Sequence, residues 1–176
     1  MSYEFRLLNA DEIDCRINKI DEKALTLLLY KDARCDMRIL DETVGPMNWQ
    51  RKHSRDNANC TVEIWDSSKA QWVGKEDTGT ESYTEKEKGL ASDSFKRAGF
   101  NWGIGRELYS APKSIKIYAN QCNIKKGNNG KFACYDEFKV EKIVCNDKRE
   151  ISGISIINAT TGKRVFVWPS TKEAGN

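Results

Sequence analysis

Apolar positions recur along the chain with two periods, and the strand period dominates. ALTLLLY (24–30) is a continuous apolar run of strand length. TVEIWD (61–66) alternates, with Val62 and Ile64 on one face and Glu63 and Trp65 on the other. WQRKHSR (49–55) and QWVGKED (71–77) flank it as hairpin partners, with Ser67-Ser68-Lys69 as a turn. SIKIYA (114–119) alternates after Pro112. KFACYDEFKVEKIVC (131–145) reads as one long strand behind the turn signal Asn128-Asn129-Gly130. EISGISIINA (150–159) and KRVFVW (163–168) are two more strands, joined by Thr160-Thr161-Gly162.

The helical period occurs in three places. NADEIDCRI (9–17) reads as a short helix, with Asn9 and Glu12 at capping-box spacing. DARCDMRILDETV (32–44) is capped by Asp32, turns Cys35, Ile39 and Leu40 inward, and stops at Gly45-Pro46. A long helix runs from about Thr84 to Phe100, with Thr84 and Glu87 again at capping-box spacing. Ala91, Phe95, Ala98 and Trp102 form its apolar stripe. Lys86, Asp93 and Arg97 lie near another line, and Lys96 projects to the side. An Asp93–Arg97 pair is expected there. Gly99 costs about 1 kcal/mol inside a helix, which points to close approach of another backbone.

This order predicts an α+β fold: a mostly antiparallel, curved β-sheet packed against one long helix and two shorter helices. No linker or repeat interrupts it, so residues 1–168 read as one domain. The polar tail 169–176 is expected to be disordered.

Composition narrows the function. The net charge is +3, so nucleic-acid binding would need clustered cations. No apolar run is long enough to span a membrane, and MSYEFRLLNADE lacks a signal-peptide pattern, so the expected location is a cytoplasm, without membrane partners. The six cysteines, Cys15, Cys35, Cys60, Cys122, Cys134 and Cys145, contain no CxxC pair, and read as free buried thiols, not metal ligands. With one histidine, His53, and no HExxH, GxSxG or P-loop, catalysis has little to rest on. Asp77, Glu81, Glu85 and Glu87 are magnesium candidates, against the alternative of a solvated helix start. A GxG at Gly103 and Gly105 follows a helix, the wrong side for a dinucleotide loop.

FKRAGFNWG (95–103) resembles a segment of the Rad fifty-two type single-strand annealing proteins, with a lysine-arginine pair and a closing aromatic-glycine at the same spacing. YKDARCDMRILDETVG (30–45), Asn48-Trp49, CTVEIWDSSKAQWVGKEDTG (60–79) and EIDCRI (12–17) resemble further blocks of that family, in the same order. The similarity spans residues 12–112 and is nearest in size to compact phage and prophage members. It does not extend to 113–176.

The resemblance implies ATP-independent binding of single-stranded DNA and annealing of complementary strands, in homologous recombination and double-strand break repair. It implies a ring or arc of many subunits, no catalytic residue, no metal and no cofactor, and, in phage settings, an exonuclease or single-strand binding protein as partner. Arg16, Lys96 and Arg97 match the family's inner-groove cations, and Tyr30 matches a tyrosine of the same region. Lys86 lies on the same side of the helix as Arg97. A further family arginine, three residues after the pair, is replaced by Phe100. Arg51, Lys52 and Arg55 are local candidates for outer contacts, against a solvated hairpin edge.

Two other readings stay open. A coating module would stack bases on Trp49, Trp65, Trp72, Tyr83 or Trp102, although Trp65 and Trp72 also fit a cross-strand pair and Trp102 a core position. A metal-dependent nucleic-acid enzyme is the other. The basic loop NIKKGNNGK (123–131) suits either binding reading.

Overall fold

The computed structural model describes residues 3–80 and 86–169. It is α+β, with two α-helices and antiparallel sheets. In chain order the elements are β1 (Asp14–Ile20), β2 (Ala24–Tyr30), α1 (Ala33–Val44), β3 (Trp49–Ser54), β4 (Asn59–Asp66), β5 (Gln71–Thr78), α2 (Lys86–Trp102), β6 (Ile115–Tyr118), β7 (Ile124–Lys126), β8 (Phe132–Cys134), β9 (Phe138–Cys145), β10 (Ile151–Asn158) and β11 (Lys163–Trp168). They form two compact units, one of Met1–Leu7 with Asp32–Arg106, the other of Leu8–Lys31 with Glu107–Asn176.

The first unit is a three-stranded sheet, β3-β4-β5, with α2 on one face and α1 beside it. Alternation on β4 buries Cys60, Val62 and Ile64 under α2, where Phe95 and Ala98 are fully buried. The apolar stripe of α2 is wider than the spacing predicts: Leu90 and Ser94 are buried with it, while Ala91 and Trp102 are half-buried. Ser94 satisfies its hydroxyl by donating to the Asn57 carbonyl at 2.9 Å. Asp32 caps α1 by accepting from the Arg34 amide, and Gly45 ends it at φ +85°.

The second unit holds a six-stranded sheet in the order β11-β10-β9-β1-β2-β6 and a separate two-stranded ribbon, β7-β8. Register shifts in β1 and β10 mark bulges that bend the six-stranded sheet. Gln121, just past the edge strand β6, donates to the Val165 carbonyl of the opposite edge strand β11 at 2.9 Å. The core gathers Leu25, Leu27, Ile115, Ile117, Phe138 and Ile156.

Three expectations are corrected. Residues 9–17 are not a helix. A single 3-10 turn, Ala10–Glu12, uses the Asn9–Glu12 contact, with the Glu12 carboxylate accepting from the Asn9 amide at 2.9 Å. Beyond it Cys15 and Ile17 alternate with Arg16, and strand pairing with Leu29 and Leu27 overrides the short local helix signal. There is therefore one shorter α-helix, not two. Residues 131–145 are two strands, because Asp136 leaves the ladder to accept from Asn123 and from Asn158. A single sheet was expected, and the strands divide among three. The proposed cap at Thr84 and the tail from Ser170 lie outside the described residues.

Candidate nucleic-acid interface

The cations singled out from the sequence fall in both units. On α2 the expected Asp93–Arg97 pair is absent. Asp93 instead accepts from the Thr80 amide at 2.8 Å. Arg97 turns to β5, its Nε 3.5 Å from Oδ1 of Asp77. The local i,i+4 rule loses because each partner finds a group on a neighbouring segment. Lys96, half-buried along its stem, meets no carboxylate among the described residues. Lys86 opens α2, but its side chain lies outside the described residues.

On β3, alternation separates the candidates. Trp49 and Arg51 face α2. The Trp49 ring stacks on Phe95 at 6.1 Å, and the Arg51 guanidinium lies 4.8 Å from the Phe95 centroid. Arg51 is exposed and makes no ion pair among the described residues. Lys52 points to the other face and binds Glu63 at 2.8 Å, which also accepts from Gln50. Arg55 sits exposed in the β3–β4 turn at φ +50°, followed by Asp56 and Asn57, also in the left-handed region. Burial first, then the Arg51 charge, holds the His53 imidazole below its ordinary range. His53 therefore adds no positive charge to this face near neutral pH.

The end of α2 carries cations that periodicity did not single out. Lys75 of β5 donates to the Asn101 carbonyl at 2.8 Å and covers the Trp102 ring at 4.5 Å. Arg106 donates to the Phe100 carbonyl through Nε at 3.1 Å and Nη2 at 2.7 Å. Both satisfy orphan carbonyls at the negative end of the helix, which is a structural use of charge. Trp102 donates to the Val62 carbonyl at 2.9 Å, in keeping with a core position. Trp65 and Trp72 form the expected cross-strand pair, edge to face at 5.5 Å. Of the magnesium candidates, Asp77 is paired with Arg97, and Glu81, Glu85 and the Glu87 side chain lie outside the described residues.

In the second unit Arg16 and Tyr30 line a groove of about 830 Å³. Arg16 is exposed and without an ion pair among the described residues, and it lies opposite Leu28. Tyr135, 88% exposed, and Lys139 also line the groove. Lys139 binds Glu137 at 3.0 Å. The sequence hid Tyr135 and Lys139 because 131–145 reads as one strand, whereas the break at Asp136 turns them toward Arg16.

No family model, curated protein or solved structure matches this chain.

Proposed function

We propose that this protein binds single-stranded DNA and anneals complementary strands without ATP, metal or cofactor, as a homo-oligomer of many subunits. One observation carries the reading: Lys96, Arg51 and Arg55 of the first unit, and Arg16 of the second, have no carboxylate partner among the described residues, while Arg97 and Lys52 are paired. A free cation can neutralise a phosphate without first breaking an ion pair. The likeness of residues 12–112 to the annealing family supports the same residues. Annealing needs a surface that grips phosphates and leaves base edges free. A few cations per subunit bind weakly, and repetition around an assembly raises the effective concentration.

The test is a duplex-formation assay with two complementary labelled oligonucleotides and purified protein, read by energy transfer at low and moderate salt. Pairing well above the spontaneous rate supports annealing. A coating module is the second reading, favoured by the exposed tyrosines Tyr30, Tyr118 and Tyr135 of the second unit. It predicts bound strands whose pairing is slowed. Absence of binding rejects both.

A further inference from the structure

All six cysteines are free, and two of them meet. Cys122, buried, follows β6 and donates its thiol to the Tyr118 carbonyl at 3.4 Å. Cys134, half-buried, ends β8 and packs on the apolar cluster that contains Cys122. The two thiols are hydrogen-bonding neighbours, and Cys134 also neighbours the Asp136 carboxylate.

Their place in the fold matters. β7 and β8 pair only with each other, with Ile124 opposite Cys134. A lone two-stranded ribbon is marginal in water. This one is fastened at its base by Asp136, which accepts from the Asn123 amide and side chain, both at 2.8 Å, and from Asn158 at 2.8 Å. Exposed Lys125, Lys126 and Lys131 lie beyond that base. The thiol pair sits at the same base, where a covalent bond would close the ribbon.

We propose that Cys122 and Cys134 form a reversible dithiol–disulfide pair, oxidised by low-molecular-weight disulfides, that locks the base of the β7–β8 ribbon. The half-exposed Cys134 loses its proton, and its sulfur attacks one sulfur of the small disulfide. A mixed disulfide forms, and the first small thiolate leaves and takes up a proton. Cys122 then loses its proton and attacks the Cys134 sulfur, expelling the second small thiolate, which is protonated in turn. The protein dithiol is oxidised by two electrons and the small disulfide is reduced to two thiols. Burial, then the neighbouring Cys134, pushes the Cys122 thiol up to about 11. Closure is therefore slow near neutral pH and quickens as pH rises.

The experiment treats the folded full chain with oxidised glutathione and maps peptides without reduction. The expected product has lost two hydrogens and joins the Cys122 and Cys134 peptides. Amide exchange across Ile124–Phe132 should slow on the order of tenfold, and a small thiol should reverse both changes. Cys122→Ser should stop at a stable glutathione adduct on Cys134, since the resolving thiol is gone. Cys134→Ser, at a half-buried site that tolerates the exchange better, should lose the joined product and leave Cys122 unmodified. Glutathione adducts alone in the wild type, or a bond between other cysteines, overturns the proposal even if Cys122→Ser does not fold. The outcome is independent of any DNA-binding result.

Discussion

Arg97 of α2 reaches Asp77 of β5, with Nε 3.5 Å from the carboxylate, while its neighbour Lys96 has no ion partner among the described residues. Two adjacent cations on one helix therefore differ in what they are free to bind. Lys96→Ala should leave thermal stability unchanged. If the DNA reading holds, it should weaken single-strand binding and flatten the salt slope by about 0.7 for each phosphate no longer neutralised. Arg97→Ala should cost stability by about 0.5 kcal/mol, a small value because the pair is partly exposed and screened. It should affect binding less than Lys96→Ala. Salt-dependent binding titrations and thermal melts separate the two effects. Unchanged binding in the Lys96→Ala, Arg97→Ala double variant at physiological salt would falsify the assignment of α2 as a DNA contact.

Gly99 is the tightest position on the same helix. A Cβ built there would lie 2.5 Å from Oδ1 of Asp36, which is itself fully buried on α1. Alanine gains about 1 kcal/mol in helix propensity. The clash cannot be relieved by swinging Asp36 into water, and overpacking costs about 1–3 kcal/mol. The net expectation for Gly99→Ala is a loss of about 1 kcal/mol, read as a lower denaturant midpoint with an unchanged m-value. A gain in stability would mean that α1 moves aside easily.

The contrast between Gly99 and Asp93 shows what the sequence could disclose. Features that depend on neighbours along the chain were legible. Alternation placed β4, with Val62 and Ile64 inward, and Asp32 marked the start of α1. The cost of Gly99 was legible too, but its partner was expected to be a backbone and is the Asp36 side chain. Features fixed by distant partners were hidden. Asp93 and Arg97 satisfy the local pairing rule, yet each is taken by another segment. The break in 131–145 depends on Asp136 meeting Asn123 and Asn158, 13 and 22 residues away. The candidate cations were all visible as residue types. Which of them are free was not, because neutralisation is a tertiary property.

Asn158 should be one of the least replaceable residues of the second unit. It is fully buried at the end of β10. Its Nδ2 donates to the Gln121 carbonyl at 3.2 Å and to Asp136 at 2.8 Å, and its Oδ1 accepts from the amides of Thr160 and Thr161 at 3.1 and 3.2 Å. Asn158→Ala strands several of these groups, at about 1–3 kcal/mol for each one left buried and unpaired, so a loss of about 3 kcal/mol is expected. Asn158→Asp keeps the shape but turns an acceptor toward the Asp136 carboxylate. It should destabilise at neutral pH and recover in part as the pH falls. Equal loss at all pH values would show that the contact to Asp136 is not the one that matters.

A pH dependence of the opposite sign is expected at Glu141. Its carboxylate on β9 accepts from Nε and Nη2 of Arg164 on β11 at 2.5 and 2.7 Å, and from Ser155 on β10 at 2.8 Å, so one side chain ties three strands. The Arg164 hydrogen bonds first, then Ser155, hold the Glu141 carboxyl down at about 2, from an ordinary 4.5. The same pairing raises the Arg164 pKa. A depressed folded-state pKa stabilises the protein above the unfolded value, and that contribution is lost as the pH falls from about 4.5 toward about 2. Glu141→Gln removes the titrating group, so its melting temperature should fall less across this window than that of the wild type. Other carboxylates, such as Asp66, also held down to about 2, titrate in both proteins, so the difference between the two curves isolates Glu141. The pair is solvent-exposed, and added salt should shrink that difference. Parallel curves would mean that the bidentate contact does not persist in solution.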